Sequence, residues 1–163
     1  MTQLLEEKNV HPSNFTSFAK QVSSPLPWLG KLRQAGIARF EQVGFPNTKE
    51  EEWRFTNVAP IARTAFKLAP HAESPVAAEL TADYALGRDA AAEIVIVNGH
   101  FSACLSKLGK LPPGVTVTSL AEALKKTPAL VEPSLGRCAK IDKDPFVALN
   151  TGFVRDGAFV HFA

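Results

Sequence analysis

The chain has 163 residues, 45% of them hydrophobic and 21% charged, with a formal net charge of +2. That suits one globular domain, or two small subdomains sharing a core, and excludes neither an enzyme nor a scaffold. Charge is evenly spread, with 7 basic and 6 acidic groups in residues 1–58 against 11 and 10 in residues 59–163, so no basic face for nucleic acid or an acidic membrane surface is expected.

In chain order, Met1 to Val10 is polar and acidic, unlike a secretory signal, and reads as loosely ordered. Pro12 and Ser13 open a predicted helix over roughly 13–23, with Phe15, Phe18 and Val22 on one face. Ser23-Ser24-Pro25-Leu26-Pro27 breaks it. A longer amphipathic helix is predicted over about 26–43. Its stripe is Leu29, Leu32, Phe40 and Val43 with Ala35 and Gly36, while Lys31, Arg33, Gln34, Glu41 and Gln42 face away.

The stretch from Gly44 to Val58 is the hinge between this helical part and the remainder of the chain. Gly44 can take the left-handed conformation that ends a helix, and Pro46 cannot continue one. Thr48 and Glu51 read as a capping box for a new turn, with Glu50, Glu51 and Glu52 at the end where the helix dipole favours negative charge. The stretch allows two roles. Trp53 and Arg54 could lock the helical part to the rest, or Glu51, Glu52 and Arg54 could form an active-site cluster; the first is favoured, because acid runs in a first turn are usually solvated.

Past the hinge, the partial alternation of Ala59–Leu68 predicts a short strand. Residues 69–92 read as loop with a helical turn or two near 76–86. The β-branched run Glu93–Val97 predicts a strand buried on both faces, and Asn98-Gly99 predicts a tight hairpin into His100-Phe101-Ser102. Pro112-Pro113-Gly114 turns the chain into a strand at Val115–Val117. Ser119 caps a helix from Leu120 to Lys126, and a short helix at 129–135 is stopped by Gly136. Asp144-Pro145 opens a helix running to Asn150 or Phe153. Asp156-Gly157 reads as a second hairpin turn, within 153–163. The fold class expected is α+β: a helical part and hinge over 1–58, then a small mixed α/β part with β-hairpins over 59–163.

No constellation names a reaction. His100, Cys104, Cys138 and His161 lack the close ligand spacing of metal sites, and His11 and His71 lie near prolines in predicted loops. There is no phosphate loop, no dinucleotide fingerprint and no Gly-x-Ser-x-Gly, and Ser102 and Ser106 have no evident base. Phe101 and Phe159 could stack bases, but aromatics on strands are usually core. The two cysteines make no disulfide framework and suit a reducing cytoplasm, and no apolar run approaches the ~20 residues of a membrane helix. Catalytic, cofactor and metal sites are all expected to be absent.

The motif Gly44-Phe45-Pro46-x-x-Lys49-x-Glu51-x-Trp53-Arg54-Phe55-Thr56-Asn57, preceded by the Trp28-Leu29 helix, resembles the N-terminal region of the SufB/SufD family of iron–sulfur cluster assembly proteins, in its SufD branch. Val95–Ser102 fits the same family, as does Phe146–Phe153 leading into Asp156–His161. The resemblance spans about Pro25 to Ala163, with Phe55 where Tyr is commoner and Gly152 where Ala is usual. It implies a cytoplasmic scaffold subunit, not an enzyme, whose partners are SufB and two copies of the ATPase SufC. It also implies that this region leads towards a parallel β-helix absent from the chain, where the cluster-building residues and the SufB contact lie. The ATPase contact lies beyond that β-helix. No family site falls on a residue here.

Alternatives are a SufB-type member, or a small cysteine-dependent enzyme using Cys104 or Cys138, whose thiol would titrate well below the ordinary ~8.5. The strand Ala158–Ala163 would be covered by the β-helix in a full-length family member. Here it is expected to leave an open, uncharged edge through which the chain self-associates.

Overall fold

The computed structural model describes residues 10–22, 25–69 and 90–163. The chain forms two compact units, each drawn from two stretches: residues 1–68 with 132–154, and residues 69–131 with 155–163. The units interleave in sequence. The architecture is mixed, with helices followed by a part containing small antiparallel sheets, as the α+β expectation has it.

The first unit is helical. Helix α1 spans Val10–Gln21 and α2 spans Pro27–Val43. Pro27 opens α2 with its missing N–H where no partner is needed, and Gly44, at φ +71°, closes it by donating its N–H to Phe40 O at 2.7 Å. The buried face of α2 is Leu29, Arg33, Gly36, Ile37 and Phe40. This corrects the predicted stripe: Val43 and Ala35 are exposed, and Arg33 lies inside. Helix α6 (Pro145–Gly152) lies across that face. Asp144 caps it, its Oδ1 accepting from the N–H groups of Phe146 (2.6 Å) and Val147 (3.1 Å). A Cβ placed on Gly36 would stand 2.6 Å from Gly152 N and 2.7 Å from Ala148 O, so the two backbones meet where side chains are missing. Full burial of Leu29 and Ile37 at this crossing contributes about 1.5–3 kcal/mol each.

The hinge departs from its predicted form. Its turn is a single 3₁₀ turn, Glu51–Trp53, without a side-chain cap. The reciprocal bonds form one residue earlier than expected: Glu50 Oε1 accepts from the backbone N–H of Asn47 (3.0 Å) and from its Nδ2 (2.8 Å), while Asn47 Oδ1 accepts from Lys49 N–H (3.0 Å). An amide side chain can both donate and accept, and that lets Asn47 outcompete Thr48 here. The strand expected at Ala59–Leu68 is instead helix α3 (Ala59–Arg63) followed by irregular chain. Asn57 Oδ1 accepts from Ala59 N–H at 3.0 Å and Pro60 sits in the first turn, both of which favour a helix start over a strand.

The second unit holds the strands. The run Glu93–Val97 is not one buried strand. It splits into β1 (Ala92–Glu93), paired antiparallel with β4 (Lys107–Leu108), and β2 (Ile96–Val97), paired with β3 (His100–Phe101). Between them Val95 N–H donates to Ser106 Oγ at 2.9 Å, and Ile96 is exposed. The β2–β3 hairpin turns at Asn98 (φ 51°) and Gly99 (φ 79°), the two positive dihedrals that a type I′ turn requires.

Strand β5 (Val115–Ser119) pairs with β6 (Ala158–Phe162) in five-residue antiparallel register, from Val115↔Phe162 to Ser119↔Ala158. Ser119 Oγ caps α4 (Leu120–Lys126) by accepting from Glu122 N–H at 3.0 Å, and α5 (Pro128–Val131) comes next, ending short of the predicted 135. On α4, Lys126 Nζ lies 2.7 Å from Glu122. Their hydrogen bond and mutual charge hold the Glu122 carboxyl below its ordinary range and the Lys126 ammonium above its own. Asp156-Gly157 is not a hairpin turn, because residues 153–157 form no strand and β6 pairs with β5.

The loop predicted at 69–92 with turns near 76–86 falls largely outside the described residues, as do most of the N-terminal segment and Ser23-Ser24.

Candidate functional site

Among the described residues, no three His, Cys, Asp or Glu side chains stand close enough to hold a metal ion. Cys104 and Cys138 are free and exposed. Cys104 Sγ lies 3.2 Å from Ser102 Oγ, and among the described residues no base is its partner. Ser106 is occupied structurally: its hydroxyl donates to Ser102 O at 2.6 Å while accepting from Val95 N–H. His161 lies flat on Phe159 (6.2 Å between centroids, 3° between planes), and His100 and Phe101 form the short strand β3. His11 and His71 lie outside the described side chains. Neither Phe101 nor Phe159 is buried outright; both are half-buried, short of the core positions expected of strand aromatics.

The acidic cluster at the hinge does not assemble either. Glu51, Glu52 and Arg54 are all exposed. The Arg54 guanidinium sits 5.4 Å from the centroid of the Phe55 ring, which is 92% exposed. Arg54 therefore takes no part in the joint expected of it. Trp53 does: it packs on Phe146 of α6 at 5.2 Å, extending a chain of rings through Phe45 (5.6 Å from Phe146) to Phe40 (4.9 Å from Phe45). A second cluster joins Phe15 and Phe18 of α1 to Phe153, at 5.9 and 5.2 Å. Trp53 is only half-buried, so Trp53→Ala should cost about 1.5 kcal/mol, its ring pairing plus part of its area. A thermal melt followed by circular dichroism checks this, and an unchanged midpoint would make Trp53 a solvent-facing residue.

Two polar groups carry far more than their positions in the sequence suggested. Arg33 is buried. Its Nε donates to Val154 O at 2.8 Å, its Nη1 reaches Val22 O at 3.5 Å, and its guanidinium lies 5.5 Å from the Phe18 ring. The available signal was its spacing: Arg33 stands four residues from both Leu29 and Ile37, inside the stripe. Asp156 is the second. Its Oδ2 accepts from Phe101 N–H (2.9 Å), and its Oδ1 accepts from Ala121 N–H (2.9 Å) and Gly157 N–H (2.8 Å). One carboxylate thus ties β3, the start of α4 and the approach to β6. Both groups hold structure.

Next to the ring chain, Phe45, Ile61, Phe66, Leu149 and Phe153 line an open apolar groove of about 210 Å³, with Asn14 Nδ2 donating to Phe66 O at 2.8 Å along one wall. No titratable pair faces it. No described helix is long and apolar enough to cross a membrane.

What these elements define is a small mixed helical and β-hairpin module in which Arg33 and Asp156 tie separate stretches of backbone together. Residues 13–163 match the family described as the SufBD protein N-terminal region, and the chain belongs to that family of components of the SUF system of iron–sulfur cluster assembly. No curated protein and no solved structure matches the chain.

Proposed function

We propose that this chain is the N-terminal region of a SufD-type subunit that works in the cytoplasm as a non-catalytic part of a complex with SufB and the ATPase SufC, and that leads into a parallel β-helix. The observation that carries this reading is the family match over residues 13–163. It is supported by where the hinge motif and the Phe146–Phe153 motif fall: they supply Phe45, Trp53, Phe146 and Phe153, which build the aromatic joint of the first unit.

The reading frame containing this chain, co-expressed with SufB-type and SufC-type subunits, should come through a tag purification as one complex with both. Association with a SufD-type subunit in place of SufB would make it SufB-type and overturn the assignment. The isolated chain, reconstituted anaerobically with iron and sulfide, should retain no stoichiometric cluster by metal analysis and visible absorbance. A cluster that disappears in the Cys104→Ser/Cys138→Ser double variant would overturn the non-catalytic reading.

A further inference from the structure

The β5–β6 ladder is a two-stranded sheet, so β6 has a second edge. Just outside the ladder, Ala163 N–H donates to Gly114 O and Leu120 N–H donates to Gly157 O, both at 2.8 Å. With the register, these bonds fix the alternation: Thr116 with His161 and Thr118 with Phe159 are the pairs that exchange hydrogen bonds. The backbone N–H and C=O groups of Ala158, Val160 and Phe162 therefore point away from β5. Among the described residues they have no other partner.

Exposed edges are normally blunted by charge, proline or a bulge. Strand β6, Ala-Phe-Val-His-Phe, has no Lys, Arg, Asp, Glu or Pro, and its register is unbroken. The same three residues also lie on an apolar face. By register that face holds Val115, Val117, Val160 and Phe162, with Val160 52% and Phe162 73% exposed.

We propose that a second copy of this chain pairs its β6 antiparallel with this edge, about a two-fold axis through Val160, to give a continuous sheet β5–β6–β6–β5. The strand is complementary to itself. Val160 meets Val160 of the second copy, the small Ala158 meets the large Phe162, and the absence of charge leaves no like-charge pair across the axis. The three outward residues supply about six backbone hydrogen bonds, and the two apolar faces join into one. A five-residue edge buries well under the roughly 1,200 Å² of a stable specific interface, so the dimer exchanges with monomer. The pairing is a property of residues 1–163 by themselves, because a β-helix that follows them, as in the functional reading above, would take the same edge.

Sedimentation velocity of the chain across a wide concentration series tests it. The weight-average mass should rise with concentration towards twice the monomer, and Val160→Lys should hold it at the monomer; that side chain is half exposed, so its fold, checked by circular dichroism, persists. In a Cys104→Ser/Cys138→Ser background, Val160→Cys should cross-link under mild oxidation, since Cα atoms in such a pair lie about 5.5 Å apart, within disulfide range. Thr116→Cys, on the opposite face of β5, should not. A monomer throughout the series overturns the proposal. So does a dimer that survives Val160→Lys, which would place the contact elsewhere. So does a monomeric chain whose β6 edge takes up an unrelated extended apolar peptide, which would assign the edge to a different partner.

Discussion

Gly36→Ala should destabilise the first unit by about 2 kcal/mol net. The added methyl would stand 2.6 Å from Gly152 N and 2.7 Å from Ala148 O. Both obstacles are backbone, so no rotamer change relieves them and α6 must move. Overpacking of that kind costs about 3 kcal/mol, the upper end of its usual range. Alanine recovers ~1 kcal/mol because it is a better helix former than glycine. Gly30→Ala on the same helix is the control. Nothing lies within 4 Å of its added methyl, so only the propensity gain remains, and it should stabilise by about 0.5–1 kcal/mol. Both tryptophans, Trp28 and Trp53, belong to the first unit, and urea titration followed by their fluorescence reads it selectively. Equal midpoints for the two variants would mean that the α2–α6 crossing yields freely.

The second unit should respond most to Asp156. Asp156→Ala removes the acceptor for three N–H groups, two of which, on Phe101 and Ala121, are remote in sequence. Hydrogen bonds to a charged group contribute about 1.5–3 kcal/mol each, and water reaching the half-buried site offsets part of the loss, leaving a net cost of about 3 kcal/mol. Asp156→Asn should cost roughly half as much: its carbonyl oxygen can keep Ala121 and Gly157, while its amide would face the Phe101 N–H, donor against donor. Amide hydrogen exchange distinguishes the two, since Phe101 alone should lose protection in the Asn variant and both Phe101 and Ala121 in the Ala variant. Unchanged protection at both amides would show that the carboxylate is dispensable.

Features determined within a few residues were legible in the sequence. Ser119, Asp144-Pro145, Gly44 and Asn98-Gly99 act on their own neighbours, and the structure has each in the role its chemistry suggested. Failures arise where a distant partner decides. The run Glu93–Val97 looks like one strand because its residues favour strand, but its two ends pair with different partners, and periodicity carries no information about that. Asp156-Gly157 has the composition of a hairpin turn. It is the availability of β5 and of three free N–H groups that gives it another role. Charge alone places Arg33 outward, although carbonyl oxygens and a phenyl face inside the fold accept it. For the site, the negative reading rests on ligand spacing, while the surfaces that remain, the Phe55 platform and the β6 edge, are properties of exposure that only a folded chain reveals.

The interleaved course of the chain has a consequence for its synthesis. The second unit begins before the first is complete, because α2 meets α6 only after the chain has returned at residue 132. Gly36 and Gly152 touch across 116 residues of sequence. At ribosomal rates of about 5–20 residues per second, the apolar face of α2 waits on the order of ten seconds for its cover. For that interval Leu29 and Ile37 lack the cover that α6 supplies, leaving apolar helix surface of the kind that holding chaperones recognise. A ribosome stalled anywhere between residues 69 and 144 would therefore present a nascent chain whose principal helix lacks its α6 cover, however well the rest of the sequence suits its fold.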